Sequence, residues 1–354
     1  MWKRLLAMVA ICAVMAVGLV NHSNKTGSRT DGLYYEASGI RPDAQMLQVN
    51  GEAVSAEEFL YWLDSTCAYL VSYAGGKLDF HAQVTEELTF GEYAKSDAAN
   101  TAALYALVRQ MADEAGVTLN EEDLASLDAQ RQQYVAYYGG EEGYAMQLQL
   151  LGVTEELMHR MEEVPYLYNR MYRTYCDPTS SLYPGDDTLK TFGDENGYVT
   201  AQLLYFPTEG LDDAALADMK AKAEDYAAQL AAAGDKQTVY ADLAAKLGFS
   251  VSSEGLTFSA AESDASLHQA VAALAPGQVS SVIETPGGYY AALRMETNYA
   301  ALTEDLFNIY LQERQDSAKV EYSDRYYAPL DAGAFYTKLD ELRLALAQSM
   351  LAQS

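Results

Sequence analysis

Apolar residues change their spacing several times along this chain. Met46-Leu47-Gln48-Val49 ahead of Asn50-Gly51 reads as a short strand running into a tight turn. In Val54-Ser55-Ala56-Glu57-Glu58-Phe59, Ser55 and Glu58 have the spacing of a capping box and predict a helix to about Tyr73. From Thr85 to Cys176 the period is helical: Leu104, Leu107, Val108, Met111 and Ala115 recur on one face up to Gly116. Asn120 then opens a helix carrying Leu124, Leu127, Tyr134, Val135 and Tyr138, which Gly139-Gly140 breaks. A short helix ends at Leu151-Gly152, and Thr154 starts another through Tyr175, expected to kink at Pro165.

Asp177-Pro178 to Gly185-Asp186 marks a boundary, after which the pattern mixes two periods. Tyr198 to Phe206 reads as a strand, Asp212 to Ala233, Val239 to Leu247 and Leu267 to Leu274 as helices, and Gln278 to Glu284 and Tyr289 to Met295 as strands. That is a compact α/β domain of about 100 residues. Helix returns over Thr303 to Ser317 and Phe335 to Ala352, around a short strand at Lys319 to Tyr322 expected to pair with Gln48-Val49. The fold class is therefore α+β. A mostly helical domain is built from residues 46–190 and 299–354, with an α/β domain inserted at 196–298.

The chain's start changes the expected compartment. Lys3 and Arg4 precede an uncharged apolar run from Leu5 to Val20, so residues 1–20 read as a signal or a membrane anchor and 21–45 as a flexible linker. The small-x-small site Ala16-Val17-Gly18 lies inside that run, which favours an uncleaved single-pass anchor with the bulk outside the cytoplasm over a cleaved, secreted form.

Composition narrows the chemistry. The 51 acidic against 23 basic residues give a net charge of −28, which repels phosphate backbones and excludes nucleic acid as a partner. Cys12, Cys67 and Cys176 form no CxxC, and His22, His81, His159 and His268 are scattered, so no metal site or cofactor is expected. Tyrosine outnumbers phenylalanine 28 to 9, and the runs Tyr134/Tyr137/Tyr138 and Tyr166/Tyr168/Tyr172/Tyr175 offer apolar area with polar tips. Such stripes suit unfolded chains of mixed sequence; core packing is the other use of the same spacing.

Three segments carry a family resemblance: Val49-Asn50-Gly51 with Ser55 to Phe59; Leu150-Leu151-Gly152-Val153-Thr154; and Leu274-Ala275-Pro276-Gly277-Gln278-Val279-Ser280 running into Thr285-Pro286-Gly287-Gly288-Tyr289-Tyr290. Together they resemble PrsA/SurA-type extracytoplasmic foldases, in which a parvulin-type peptidyl-prolyl isomerase domain is inserted into a helical chaperone domain. The resemblance implies a substrate cleft lined by Leu203, Tyr205, Leu267, Val271, Thr285 and Tyr290. It also exposes a departure, because Leu203 and Tyr290 occupy the positions of the family's two central histidines, and the loop Gly248 to Gly255 lacks the family's acidic Gly-rich sequence. Leu267 stands where an aromatic residue would contact the proline ring.

The implied function is a membrane-anchored folding factor that binds unfolded or partly folded secreted polypeptides, with isomerase activity weak or lost. An active isomerase and a non-catalytic envelope-assembly component remain alternatives.

Overall fold

The computed structural model describes residues 30–249 and 253–352. It separates into two compact units, one made of the chain up to Arg173 and from Leu311 onward, the other of Thr174–Tyr310.

In the first unit, α1 (Leu33–Ser38) precedes β1 (Gln45–Val49) and β2 (Glu52–Ser55), which pair antiparallel around Asn50-Gly51. Asn50 and Gly51 have φ of 52° and 89°, the left-handed pair that a two-residue hairpin turn requires. Ser55 caps α2 (Ala56–Tyr73) by accepting the Glu58 N–H at 3.3 Å. The reciprocal half of the expected capping box is not used, since the buried Glu58 carboxylate instead accepts from Arg109 at 2.8 Å. Next come α3 (Phe90–Ala115), α4 (Glu121–Tyr137), α5 (Glu141–Leu151) and α6 (Glu155–Cys176), the last continuing as helix across Pro165. Capping boxes start α3 at Thr89/Glu92 and α4 at Asn120/Asp123.

The second unit contains α7 (Asp186–Glu195), β3 (Val199–Pro207), α8 (Asp213–Ala232), α9 (Lys236–Lys246), β4 (Leu256–Phe258), α10 (Ala265–Ala272), β5 (Ile283–Thr285), β6 (Gly288–Arg294) and a 3-10 turn at Tyr299–Leu302. Among the described residues its sheet runs β4-β3-β6-β5, every pair antiparallel. Leu204, Phe206, Ala291 and Leu293 face α8 and α9; Val199, Ala201 and Ala292 face α10. This is the period-two alternation of a sheet covered on both sides. The unit is wider than residues 196–298 because α7 packs on the 3-10 turn. Tyr299 donates to Asp194 at 2.6 Å, and a Cβ at Gly193 would meet the Tyr299 ring at 2.6 Å.

The chain leaves through α11 (Thr303–Asp316) and returns to the first unit with β7 (Val320–Tyr322) and α12 (Ala332–Leu351). β7 pairs antiparallel with β1 in the register Leu47↔Tyr322, Gln48↔Glu321 and Val49↔Val320, as the sequence predicts. A core containing Met46, Phe59, Leu60, Leu63, Ala98, Phe335 and Leu339 joins both ends of the chain.

Two expectations are corrected. Residues 33–45 are not a flexible linker: Leu33 and Tyr34 are buried, the Tyr34 ring lies 6.0 Å from that of Phe335, and its hydroxyl donates to Asp64. The single-pass membrane localisation is not carried by the structure either. Among the described residues no helix is long and apolar enough to cross a membrane. Residues 1–20, on which the anchor reading was based, lie outside the described residues, as do Ser250, Val251 and Ser252 of the departing loop.

Candidate functional site

In the second unit the sheet register fixes the relation between the residues expected at the isomerase cleft. Tyr205 stands opposite Tyr290, and Leu203 opposite Ala292, so Leu203 and Tyr290 are diagonal neighbours on the face covered by α10. The Tyr205 and Tyr290 rings lie 4.8 Å apart between centroids, and Phe249 extends the aromatic surface at 6.5 Å from Tyr205. Phe249 was not anticipated; it follows the helix-ending Gly248, where no periodicity marks it.

The polar atoms here are mostly engaged in holding the corner. Tyr205 donates its hydroxyl to the Gly287 carbonyl at 2.8 Å, and Thr285 donates to the Gly288 carbonyl at 2.9 Å. Burial, then the nearby Tyr205 and Asp264, push the Tyr290 phenol above its ordinary range, so Tyr290 remains a neutral hydroxyl. Leu203, Tyr205, Tyr290 and Thr285 are partly exposed. Leu267 and Val271 are buried in the core between α10 and the sheet and form the floor behind the others. His268, next to Leu267, directs its Nε2 to the Gly197 carbonyl at 2.7 Å and sets its ring edge-on to Phe258, which assigns it to packing.

An aromatic pair over an apolar floor can sequester a proline ring and its flanking peptide bond. Amide rotation faces a barrier of about 20 kcal/mol, lowered where the bond loses double-bond character in a water-poor site. At Leu203 and Tyr290 the sheet offers packing and one phenol to such a ligand.

The helical unit holds a second concavity. A groove of about 400 Å³ lies among α2 to α6, with Tyr61, Trp62, Tyr105, Tyr134, Tyr144 and Tyr166 on its walls. Met158, Met161 and Glu162 of α6 complete it. The Trp62 ring meets Tyr61 and Tyr105 edge-on at 5.0 and 4.7 Å. The tyrosine stripes therefore divide. Tyr134, Tyr138 and Tyr166 line the groove, Tyr137 is 81% exposed, and Tyr175 packs in the second unit against Phe307 at 5.3 Å. Trp62 and Tyr105 come from helices whose sequence gives no sign that they converge.

The remaining candidates close down. No group of three or more metal-ligating side chains occurs among the described residues. Among the described residues Cys67 and Cys176 form no disulfide, and burial pushes the Cys67 thiol far above its usual range, so Cys67 is an inert core side chain.

Comparison with known proteins matches residues 186–306 to the PPIC-type PPIASE domain. Solved structures similar to the chain include the foldase protein PrsA of Streptococcus pneumoniae, 19% identical, covering 75% of this chain and 93% of that one at a TM-score of 0.28. PrsA of Bacillus subtilis is 14% identical over 74% and 92%, with a TM-score of 0.27. A SurA-like chaperone structure from Campylobacter jejuni is 13% identical over 79% and 99%, with a TM-score of 0.22. A search of curated proteins finds no match. The isomerase-family assignment of the second unit rests on the PPIC-type match, and the parvulin-type resemblance seen in the sequence holds for that segment.

Proposed function

From the premise of a PPIC-type PPIASE domain at residues 186–306, we propose that this chain is a folding factor that binds unfolded or partly folded polypeptides, with isomerase activity weak or absent. The observation that carries the reading is the cleft itself. Tyr205 and Tyr290 meet at 4.8 Å beside Leu203, where the family has histidines, which leaves a surface suited to holding an apolar segment but poor in groups that polarise a peptide bond. The tyrosine-walled groove of the helical unit supports a second point of contact with the same kind of ligand.

A side-by-side assay tests this. The full chain is expected to suppress aggregation of a chemically unfolded client while accelerating cis–trans conversion of an Ala-Pro tetrapeptide little above the uncatalysed rate. Leu203→His with Tyr290→His, placed on one face of the sheet, is expected to raise the isomerisation rate. Brisk turnover by the unaltered chain would overturn the inactive-domain reading, and failure to suppress aggregation would overturn the chaperone reading.

A further inference from the structure

We propose that the groove of the helical unit selects a basic side chain, an arginine of an extended unfolded segment, held between tyrosine faces and the Glu162 carboxylate. This deepens the polypeptide-binding reading and rests on it. The groove walls carry electron-rich aromatic rings, six of them tyrosines, which attract a cation laid over the ring face. The wall already shows this behaviour at Tyr144, whose ring carries the Arg131 guanidinium at 5.4 Å.

Glu162 supplies the counter-charge. Its carboxylate accepts one hydrogen bond from the Gln130 amide at 3.3 Å, and among the described residues no lysine or arginine forms an ion pair with it. Burial drives its carboxyl above the ordinary range, only partly offset by Gln130 and His159, as befits a carboxylate taken partly out of water without a full cationic partner. The arginines of the surrounding helices are already committed elsewhere: Arg131 to Glu141 and Glu155, Arg109 and Arg160 to Glu58, Arg170 to Asp123. A cation arriving from outside would meet an anion and aromatic faces without displacing an internal partner. Arginine fits better than lysine, because its planar guanidinium can stack on tyrosine and bond a carboxylate through two parallel N–H groups. The chain's net charge of −28 adds a general attraction for basic segments.

The test uses the full chain and a fluorescent twelve-residue Gly/Ser/Leu peptide with one central arginine, compared by anisotropy with the same peptide carrying the neutral isostere citrulline. The arginine peptide is expected to bind about tenfold tighter, and Glu162→Gln, which keeps the side-chain shape, to reduce that ratio to about one. Tyr166→Leu is expected to lower it as well, with an unchanged circular dichroism spectrum reporting an intact fold. Equal binding of the two peptides, or a preference that survives Glu162→Gln, overturns the inference while leaving polypeptide binding intact. Absence of binding by either peptide together with no suppression of aggregation overturns both.

Discussion

Arg343 on the last helix grips Asp64 on the first long one through two parallel hydrogen bonds, Nη1 to Oδ1 at 2.9 Å and Nη2 to Oδ2 at 2.5 Å. The same guanidinium donates to the carbonyls of Leu150 and Leu151 at 2.7 and 2.9 Å, satisfying the end of α5. Three elements distant in the chain thus meet at one half-buried cation, whose partner Asp64 is buried. Asp64→Ala would leave Arg343 without its counter-charge, and the helical unit should lose about 3–5 kcal/mol in urea unfolding. Asp64→Ala with Arg343→Met should lose less than Asp64→Ala alone, because no uncompensated charge remains.

The two glycines of the Gly287-Gly288 corner do different work. Gly288 has φ of 155°, and a Cβ there would run into the Phe206 carbonyl oxygen and lie 2.8 Å from Cε2 of Tyr205. A Cβ at Gly287 would meet nothing closer than the Tyr205 hydroxyl at 3.7 Å. Gly288→Ala should therefore destabilise the second unit by about 2–4 kcal/mol and disturb the Tyr205/Tyr290 pair. Gly287→Ala should stay within about 1 kcal/mol. Chemical denaturation of both variants followed by tyrosine fluorescence checks the difference.

Asp123 gives the helical unit an acid-sensitive point. Burial alone would raise its pKa, but the Asn120 N–H and the Arg170 guanidinium outweigh it and hold the carboxyl below the ordinary carboxylate range. A depressed folded-state pKa contributes stability that is fully present above the unfolded value of about 3.9 and is lost as pH falls through the folded value. Asp123→Asn should consequently cost about 1–2 kcal/mol at pH 6, and the gap from the unaltered chain should shrink as pH falls below about 4. Unfolding curves from pH 6 to pH 2 report that closing gap.

Much of this architecture is legible in the sequence because local signals and tertiary pairing agree. Asn50-Gly51 announces the hairpin turn, Asn120 caps its helix, and the strand after Lys319 finds β1 in the expected place. What escaped lies where a local signal is weak or a distant partner overrides it. β2 and β4 are too short to show alternation, and Leu256 of β4 is 57% exposed. The strand expected from Gln278 to Glu284 is interrupted: Ser280 satisfies the Ala292 amide with its side chain, and regular pairing resumes only at Ile283. Ser55 caps as predicted, but Arg109 draws Glu58 out of the box. At the candidate sites, the sheet alternation that puts Leu203, Tyr205 and Tyr290 on one face is readable from spacing. The groove is not, because it joins side chains from helices whose mutual placement depends on packing.

That dependence leads to a prediction about which part of the chain folds by itself. The second unit has apolar clusters on both faces of its own sheet, and all its strands come from the continuous segment Thr174–Tyr310. The helical unit is different. β1 needs β7 as its second neighbour, Asp64 needs Arg343, and Tyr34 packs against Phe335, all supplied from beyond residue 310. A fragment ending at Arg173 would leave the side of α2 that faces the last helix in water and Asp64 without its cation, whereas a fragment of Thr174–Tyr310 keeps both apolar clusters of its sheet. Residues 174–310 alone should show a single cooperative thermal transition by circular dichroism, and residues 30–173 alone a broad loss of helix without one. Adding a peptide spanning residues 311–352 to the latter should restore cooperativity, because it returns β7, Phe335 and Arg343 together.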